Sequence, residues 1–177
     1  RRAEIRDLWC ENMIGRYPEE APALLSAKVV KTNTPADEST RKRVVLTFDT
    51  PNKKSFEIEV WEPKSNVDTA RSLLLTQPRH YQREKWGEEA LRRGYVVCIY
   101  PGLDTHHREK AYPGFEAVWK TFKSEYPKAT WDSSLGIQAW LAGRTLDYLL
   151  DPKYGYRIDN RAVGITGFSR YGKQSIY

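Results

Sequence analysis

The sequence predicts an α/β domain whose sheet is mostly parallel and is preceded by an antiparallel hairpin. Three observations predict it. Two stretches near residue 50 alternate apolar and polar residues, two later stretches are continuously apolar, and amphipathic segments of helical period lie around them. Alternation marks strands with one buried face, whereas unbroken apolar runs joined by helices mark parallel strands covered on both faces. With 177 residues, 40% of them hydrophobic and 12% aromatic, the chain has the apolar content for a real core. No run approaches the roughly 18 apolar residues that a membrane span needs.

Residues 1 to 17 read as a helix, because Ile5, Leu8, Trp9 and Met13 recur at helical spacing among Arg and Glu; Pro18 and Pro22 end it. Residues 31 to 42 are polar and read as a loop. Val44, Leu46 and Phe48 then alternate with Val45 and Thr47, Thr50 to Lys54 turns the chain, and Phe56, Ile58 and Val60 alternate with Glu57 and Glu59. That is a hairpin, closed by Pro63. Ser72 to Thr76 is a buried strand stopped at Gln77-Pro78. A helix over residues 83 to 93 carries Trp86, Ala90 and Leu91 on one side, and Gly94 caps it.

Tyr95 to Tyr100 is a second buried strand, halted at Pro101-Gly102. A long excursion follows, polar from Leu103 to Tyr112. After it, Phe115, Val118, Trp119, Phe122 and Tyr126 fall at helical spacing. Thr130 or Asp132 can cap a further helix over 133 to 150, with Leu135, Ala139, Ala142, Leu146 and Leu149 as its apolar residues and Asp151-Pro152 as its stop. Ala162 to Thr166 is the last strand.

Charge and cysteine usage bound the function. Lys and Arg exceed Asp and Glu by 29 to 23, a net charge of +6 that is spread along the chain. It reads as a solvated surface, with a weak preference for anionic partners as the sharper alternative. No basic stripe or stacking-aromatic motif points to nucleic acid, and nothing points to a membrane. Cys10 and Cys98 make neither a disulfide framework nor a zinc site, and Cys98 reads as a small buried hydrophobe. The adjacent His106 and His107 lack a third ligand nearby and read as a solvated loop, so no metal and no cofactor are expected. The chain opens on Arg1 rather than Met, which suggests a processed or omitted N-terminal piece.

The last strand runs into Gly167-Phe168-Ser169-Arg170-Tyr171-Gly172-Lys173. A strand that stops at Gly-x-Ser, with a helix to follow, reads as a nucleophile elbow, in which the serine sits on a strained turn between strand and helix. Gly167 and Gly172 supply the small residues such a crossing needs. The usual pattern is G-x-S-x-G; here Tyr171 stands where the second glycine would be. A plain Gly/Ser turn is the alternative, but the order of elements before it is that of the N-terminal half of an α/β-hydrolase.

Serine needs an imidazole to take its proton, a carboxylate to orient that imidazole, and N–H donors for the oxyanion. In this fold the acid and histidine follow the serine. Only eight residues follow Ser169, none an acid or a histidine, and His80, His106 and His107 all precede it. Ending there would also leave an apolar strand as an open edge. The expectation is therefore an N-terminal helix and loop over 1–42, then the N-terminal part of a catalytic domain over 43–177, its C-terminal part missing. Alone, this length is expected to be neither stable nor active. One oxyanion donor is expected at the N–H of Arg170 and a second in the loop Gln77-Pro78-Arg79-His80. Arg79 and His80 are candidate substrate contacts, a surface loop histidine being the plain alternative for His80. Arg170, always charged, could meet the oxyanion directly, and Lys173, one helical turn beyond Ser169, could present a second cation; both could instead be solvent-facing helix residues.

The run Gly167 to Lys173 resembles the Gly-Cys-Ser-Arg-Asn-Gly-Lys elbow of the glucuronoyl esterases, carbohydrate esterases of the α/β-hydrolase fold. It is also similar to the Gly-His-Ser-Arg-x-Gly-Lys elbow of bacterial acetyl-xylan-esterase-like hydrolases, to which Leu73 to Pro78, Arg92 to Gly102 and the helix before the elbow extend the likeness. The resemblance implies Ser169 as nucleophile, Arg170 as part of the oxyanion hole and Lys173 as the contact to a uronic acid. Phe168 and Tyr171 depart from the glucuronoyl esterase pattern, Phe168 replacing a cysteine that is disulfide-bonded in some members, and this bears on the substrate. The implied function is a serine esterase acting on a small-molecule or polysaccharide-linked ester, glucuronoyl or acetyl in type, and the implied location is secreted or periplasmic. A hydrolase-fold binding or scaffold protein, or a peptidase-like serine hydrolase, is the alternative.

Overall fold

A computed structural model describes residues 1–16, 18, 20–64, 69–77, 83–101, 118–130 and 134–167. Its centre is a six-stranded sheet of β1 (Leu24–Asn33), β2 (Thr40–Phe48), β3 (Ser55–Glu62), β4 (Arg71–Thr76), β5 (Val96–Ile99) and β6 (Ile158–Ile165). The spatial order is β1-β2-β3-β5-β4-β6. Strands β1 to β3 are antiparallel, β3 meets β5 antiparallel, and β4 runs parallel to both β5 and β6. The mostly parallel second half and the antiparallel hairpin before it are as the apolar patterns predict.

The hairpin residues with period two all point inward. Val44, Leu46, Phe48, Phe56, Ile58 and Val60 are buried, together with Leu73 and Leu75 of β4 and Val96, Cys98 and Tyr100 beside them. Two helices cover this face, α3 (Val118–Lys123) through Val118 and Phe122, and α4 (Ser134–Leu150) through Ile137, Trp140, Leu141, Tyr148 and Leu149. Phe122 is the keystone of the packing. Its ring lies 6.2 Å from Phe48, 5.8 Å from Phe56 and 5.3 Å from Trp140, edge-on or tilted in each case, and burying such a ring stabilises by about 1.5–3 kcal/mol. On the opposite face the core is smaller among the described residues: α2 (Arg83–Arg92) lays Ala90 and Leu91 over Trp61, Val97 and Ile99, with Leu74 at the margin.

Several local expectations change. Residues 24–33 form an edge strand paired with β2 along its length, so part of the polar stretch 31–42 is sheet and the connection shrinks to residues 34–39. Trp86 does not join Ala90 and Leu91 inside; it is exposed, and Gly87 instead packs against Trp61, where a Cβ would lie 2.9 Å from the indole. The inward face of α4 is turned from the predicted one. It is led by Ile137, Trp140, Leu141 and Tyr148, while Leu135, Ala139 and Leu146 are only partly buried. The N-terminal helix α1 (Arg2–Trp9) continues as a π-helical turn, Cys10–Ile14, and ends at Gly15 with φ 79°, before either proline. No residue of α1 is buried. Cys10 and Cys98 are buried, and neither forms a disulfide.

Candidate active site

The site is built from the carboxyl ends of the parallel strands. Leu74 and Leu75 of β4 lie in register with Gly164 and Ile165 of β6, and the Thr166 N–H donates to the Leu75 carbonyl at 2.9 Å. On the other side the Tyr100 N–H donates to the Thr76 carbonyl at 3.0 Å. The three strands therefore end at one level. Gln77 leaves β4, Gly167 leaves β6, and the two exits are neighbours.

The connections leave that level in opposite directions. From β4 the chain crosses through α2 on one face to β5; from β5 it crosses through α3 and α4 on the other face to β6. The strand order thus reverses beside β4, and in an open α/β sheet the crevice outside the carboxyl ends at such a point is where ligands bind.

The polar groups at this edge sit among apolar neighbours. Thr76, Gln77 and Gln138 are each about 2% exposed. Gln138, near the start of α4, accepts a long hydrogen bond of 3.5 Å from the Gln77 side-chain amide, which ties the exit of β4 to the helix. Buried amides are costly unless bonded, and this bond is one partner that each of the two finds.

A second polar centre lies further along the same edge. Glu125, in the turn after α3, has a side chain only 1% exposed. It accepts from the Asn52 backbone N–H at 2.8 Å and from the Asn52 amide at 2.9 Å, with Lys54 at 3.9 Å. Burial pushes its carboxyl up, but the Asn52 bonds, a Thr50 bond and the Lys54 charge outweigh it and leave the carboxyl below its ordinary value. At the opposite, amino end of the strands a groove of about 410 Å³ is lined by Asp37, Ser39, Lys64, Glu88 and Arg92. Asp37 there is engaged by Ser39 and Arg41, Lys64 by Glu38 and Arg92 by Glu89.

Ser169, Arg170, Lys173, Arg79 and His80 lie outside the described residues, as do His106 and His107. What is described is the frame that leads to them: the chain past β6 to Gly167, two residues before Ser169, and past β4 to Gln77, two before Arg79. Sequence reading passed over Gln138, Asn52 and Glu125. Gln138 and Glu125 give only the faint signal of a polar residue within an apolar helical stretch, and Asn52 reads as an ordinary turn residue. Among the described residues no group of three His, Cys, Asp or Glu side chains could hold a metal ion, and no helix is long and apolar enough to cross a membrane.

Solved structures share this architecture. A glucuronoyl esterase from Teredinibacter turnerae superimposes with a TM-score of 0.70 over 99% of the chain and 47% of its own length, at 18% identity. A putative acetyl xylan esterase from Bacteroides fragilis gives a TM-score of 0.61 over 97% of the chain and 48% of its own length, at 16% identity. A glucuronoyl esterase from Sporotrichum thermophile, solved with methyl 4-O-methyl-β-D-glucopyranuronate, gives 0.52 over 98% and 41%, at 18% identity.

The fold is that of the α/β-hydrolases. The chain spans about half the length of these hydrolase-fold structures. No protein-family model matches the chain, and no curated protein matches it in sequence.

Proposed function

We propose that the chain carries the nucleophile half of a serine esterase acting on carbohydrate-linked carboxylic esters. The observation that best supports this is the adjacency of the β4 and β6 exits. One leads in two residues to the Gly-Phe-Ser-Arg elbow, the other to the loop from which a second oxyanion donor would come. The glucuronoyl and acetyl xylan esterase titles of the similar structures favour the same substrate class.

In this reading the Ser169 Oγ attacks the ester carbonyl carbon, and its proton passes to a histidine supplied by residues beyond this sequence, oriented by an acid likewise supplied. The tetrahedral oxyanion is held by the Arg170 N–H and an N–H of the loop after Gln77, with the Arg170 guanidinium adding charge. Collapse breaks the bond to the alkoxy oxygen, which leaves as an alcohol by taking the proton back from the imidazole. Water then attacks the acyl-serine by the reverse proton route, releasing the carboxylic acid and Ser169. Lys173 meets an anionic substrate group, and Arg79 and His80 line the approach. No cofactor enters.

The test is a fluorophosphonate probe on the full-length protein. Labelling is expected at Ser169 and is lost in Ser169→Ala. A folded full-length protein that takes no label overturns the reading.

A further inference from the structure

The β2–β3 hairpin overhangs the carboxyl end of the sheet. Glu59 pairs with Ile99, the last residue of β5, so Ser55, Phe56, Glu57 and Ile58 run on past the strand, about 13 Å at ~3.3 Å per residue. Only β5 separates this overhang from β4, so it stands about 10 Å to the side of the β4 exit at ~4.8 Å per strand. The tip is ordered internally. Lys53 N–H donates to the Thr50 carbonyl at 2.9 Å and Lys54 N–H to the Thr50 hydroxyl at 2.8 Å.

Two kinds of contact join the overhang to the turn after α3. The rings of Phe48, Phe56 and Phe122 seat it, but apolar packing is non-directional and would tolerate small rotations of the tip. Glu125 removes that freedom. One carboxylate takes two donors from one residue, which fixes direction as well as distance. A buried carboxylate is an expensive way to hold a turn that the rings already seat, and its effect is to set where the tip stands relative to the strand ends.

We propose that the Asn52–Glu125 lock makes the overhanging hairpin and the turn after α3 one rigid wall of the substrate cleft. Glu125 is then a positioning residue for the part of a sugar ester remote from its carbonyl. This rests on the esterase reading of the strand-end crevice.

The experiment compares full-length wild type with Glu125→Ala, Glu125→Gln and Asn52→Ala on a glycosyl ester and on a short aryl acetate. Asn52→Ala removes only the side-chain amide and keeps the backbone N–H to Glu125, so it perturbs the fold less than Glu125→Ala. The expected result is a KM for the glycosyl ester raised about fivefold to tenfold in the alanine variants with kcat within about twofold, a smaller change on the aryl acetate, and partial recovery in Glu125→Gln. Equal losses on both esters, or no change on either, overturn the wall while leaving the esterase reading intact. A wild type that turns over neither ester overturns both.

Discussion

Glu125 and Asn52, 73 residues apart in the chain, are joined by two hydrogen bonds on a single buried carboxylate, 2.8 Å to the backbone N–H and 2.9 Å to the side-chain amide. Because the folded carboxyl titrates below its ordinary value, the bond pair stabilises the protein at pH above the unfolded carboxyl's pKa. That contribution is lost as pH falls below about 4.5 and through the folded pKa. Glu125→Gln should therefore cost about 1–3 kcal/mol at neutral pH and much less near pH 3. Urea unfolding of the full-length protein at the two pH values checks it; an equal cost at both removes the carboxylate from the explanation.

Gly87 is a second point where a single atom decides. Alanine there would gain up to about 1 kcal/mol of helix propensity. Its Cβ, however, would meet Trp61 Cζ3 at 2.9 Å. The indole cannot easily move, since its N–H donates to Glu59 at 2.7 Å and Arg41 stacks on it at 4.2 Å. Overpacking of this kind costs about 1–3 kcal/mol, so Gly87→Ala should lower the melting temperature by several degrees. A raised melting temperature would show that α2 can lift off the sheet.

Tyr148 and Tyr156 share a hydroxyl pair at 2.8 Å inside the core, and burial pushes both phenols up, that of Tyr156 far above its ordinary range. Either single change to Phe strands the surviving hydroxyl and should cost about 1–2 kcal/mol. The double change should cost no more than either single one. Additive losses in a double-mutant cycle would mean that each hydroxyl has a further partner.

For the chemistry, Arg170→Ala keeps the backbone N–H and removes the guanidinium. If the side chain contributes to the oxyanion hole, kcat on a uronate or acetyl ester should fall about 100-fold with the melting temperature unchanged. Arg170→Lys should recover only part, because an ammonium cannot fork toward an oxyanion. A kcat within twofold of wild type would leave the N–H as the only contribution of this residue.

The parts of the fold legible in the sequence are those whose burial differs between faces. Phe48 and Ile58 announced their strands because every second residue is inside, and Leu73 to Leu75 and Val96 to Ile99 because nearly all are. β1 was silent for the same reason reversed. Nearly all of Leu24–Asn33 faces solvent, so Lys28 and Lys31 sit beside Val29 and Val30 without a period to read. On α4 the stripe was misplaced because Gln138 and Thr145 are buried, which no hydrophobic count assigns to a core. At the site, the Gly-Phe-Ser-Arg run is explicit in the sequence, whereas Asn52 and Glu125 meet only through the tertiary fold.

The sheet order carries a consequence for the growing chain. During synthesis β4 is complete before β5 exists, yet β5 ends between β3 and β4. For the twenty or so residues that separate them, the inner edge of β3 stands unpaired next to an apolar strand that is not its final neighbour, and unpaired edges anneal readily. A premature β3–β4 pair would have to open before β5 could enter. Slow translation or chaperone capture across residues 77–95 should therefore matter more to the yield of folded protein than the same delay anywhere in the hairpin, where each strand meets its partner as soon as it is made.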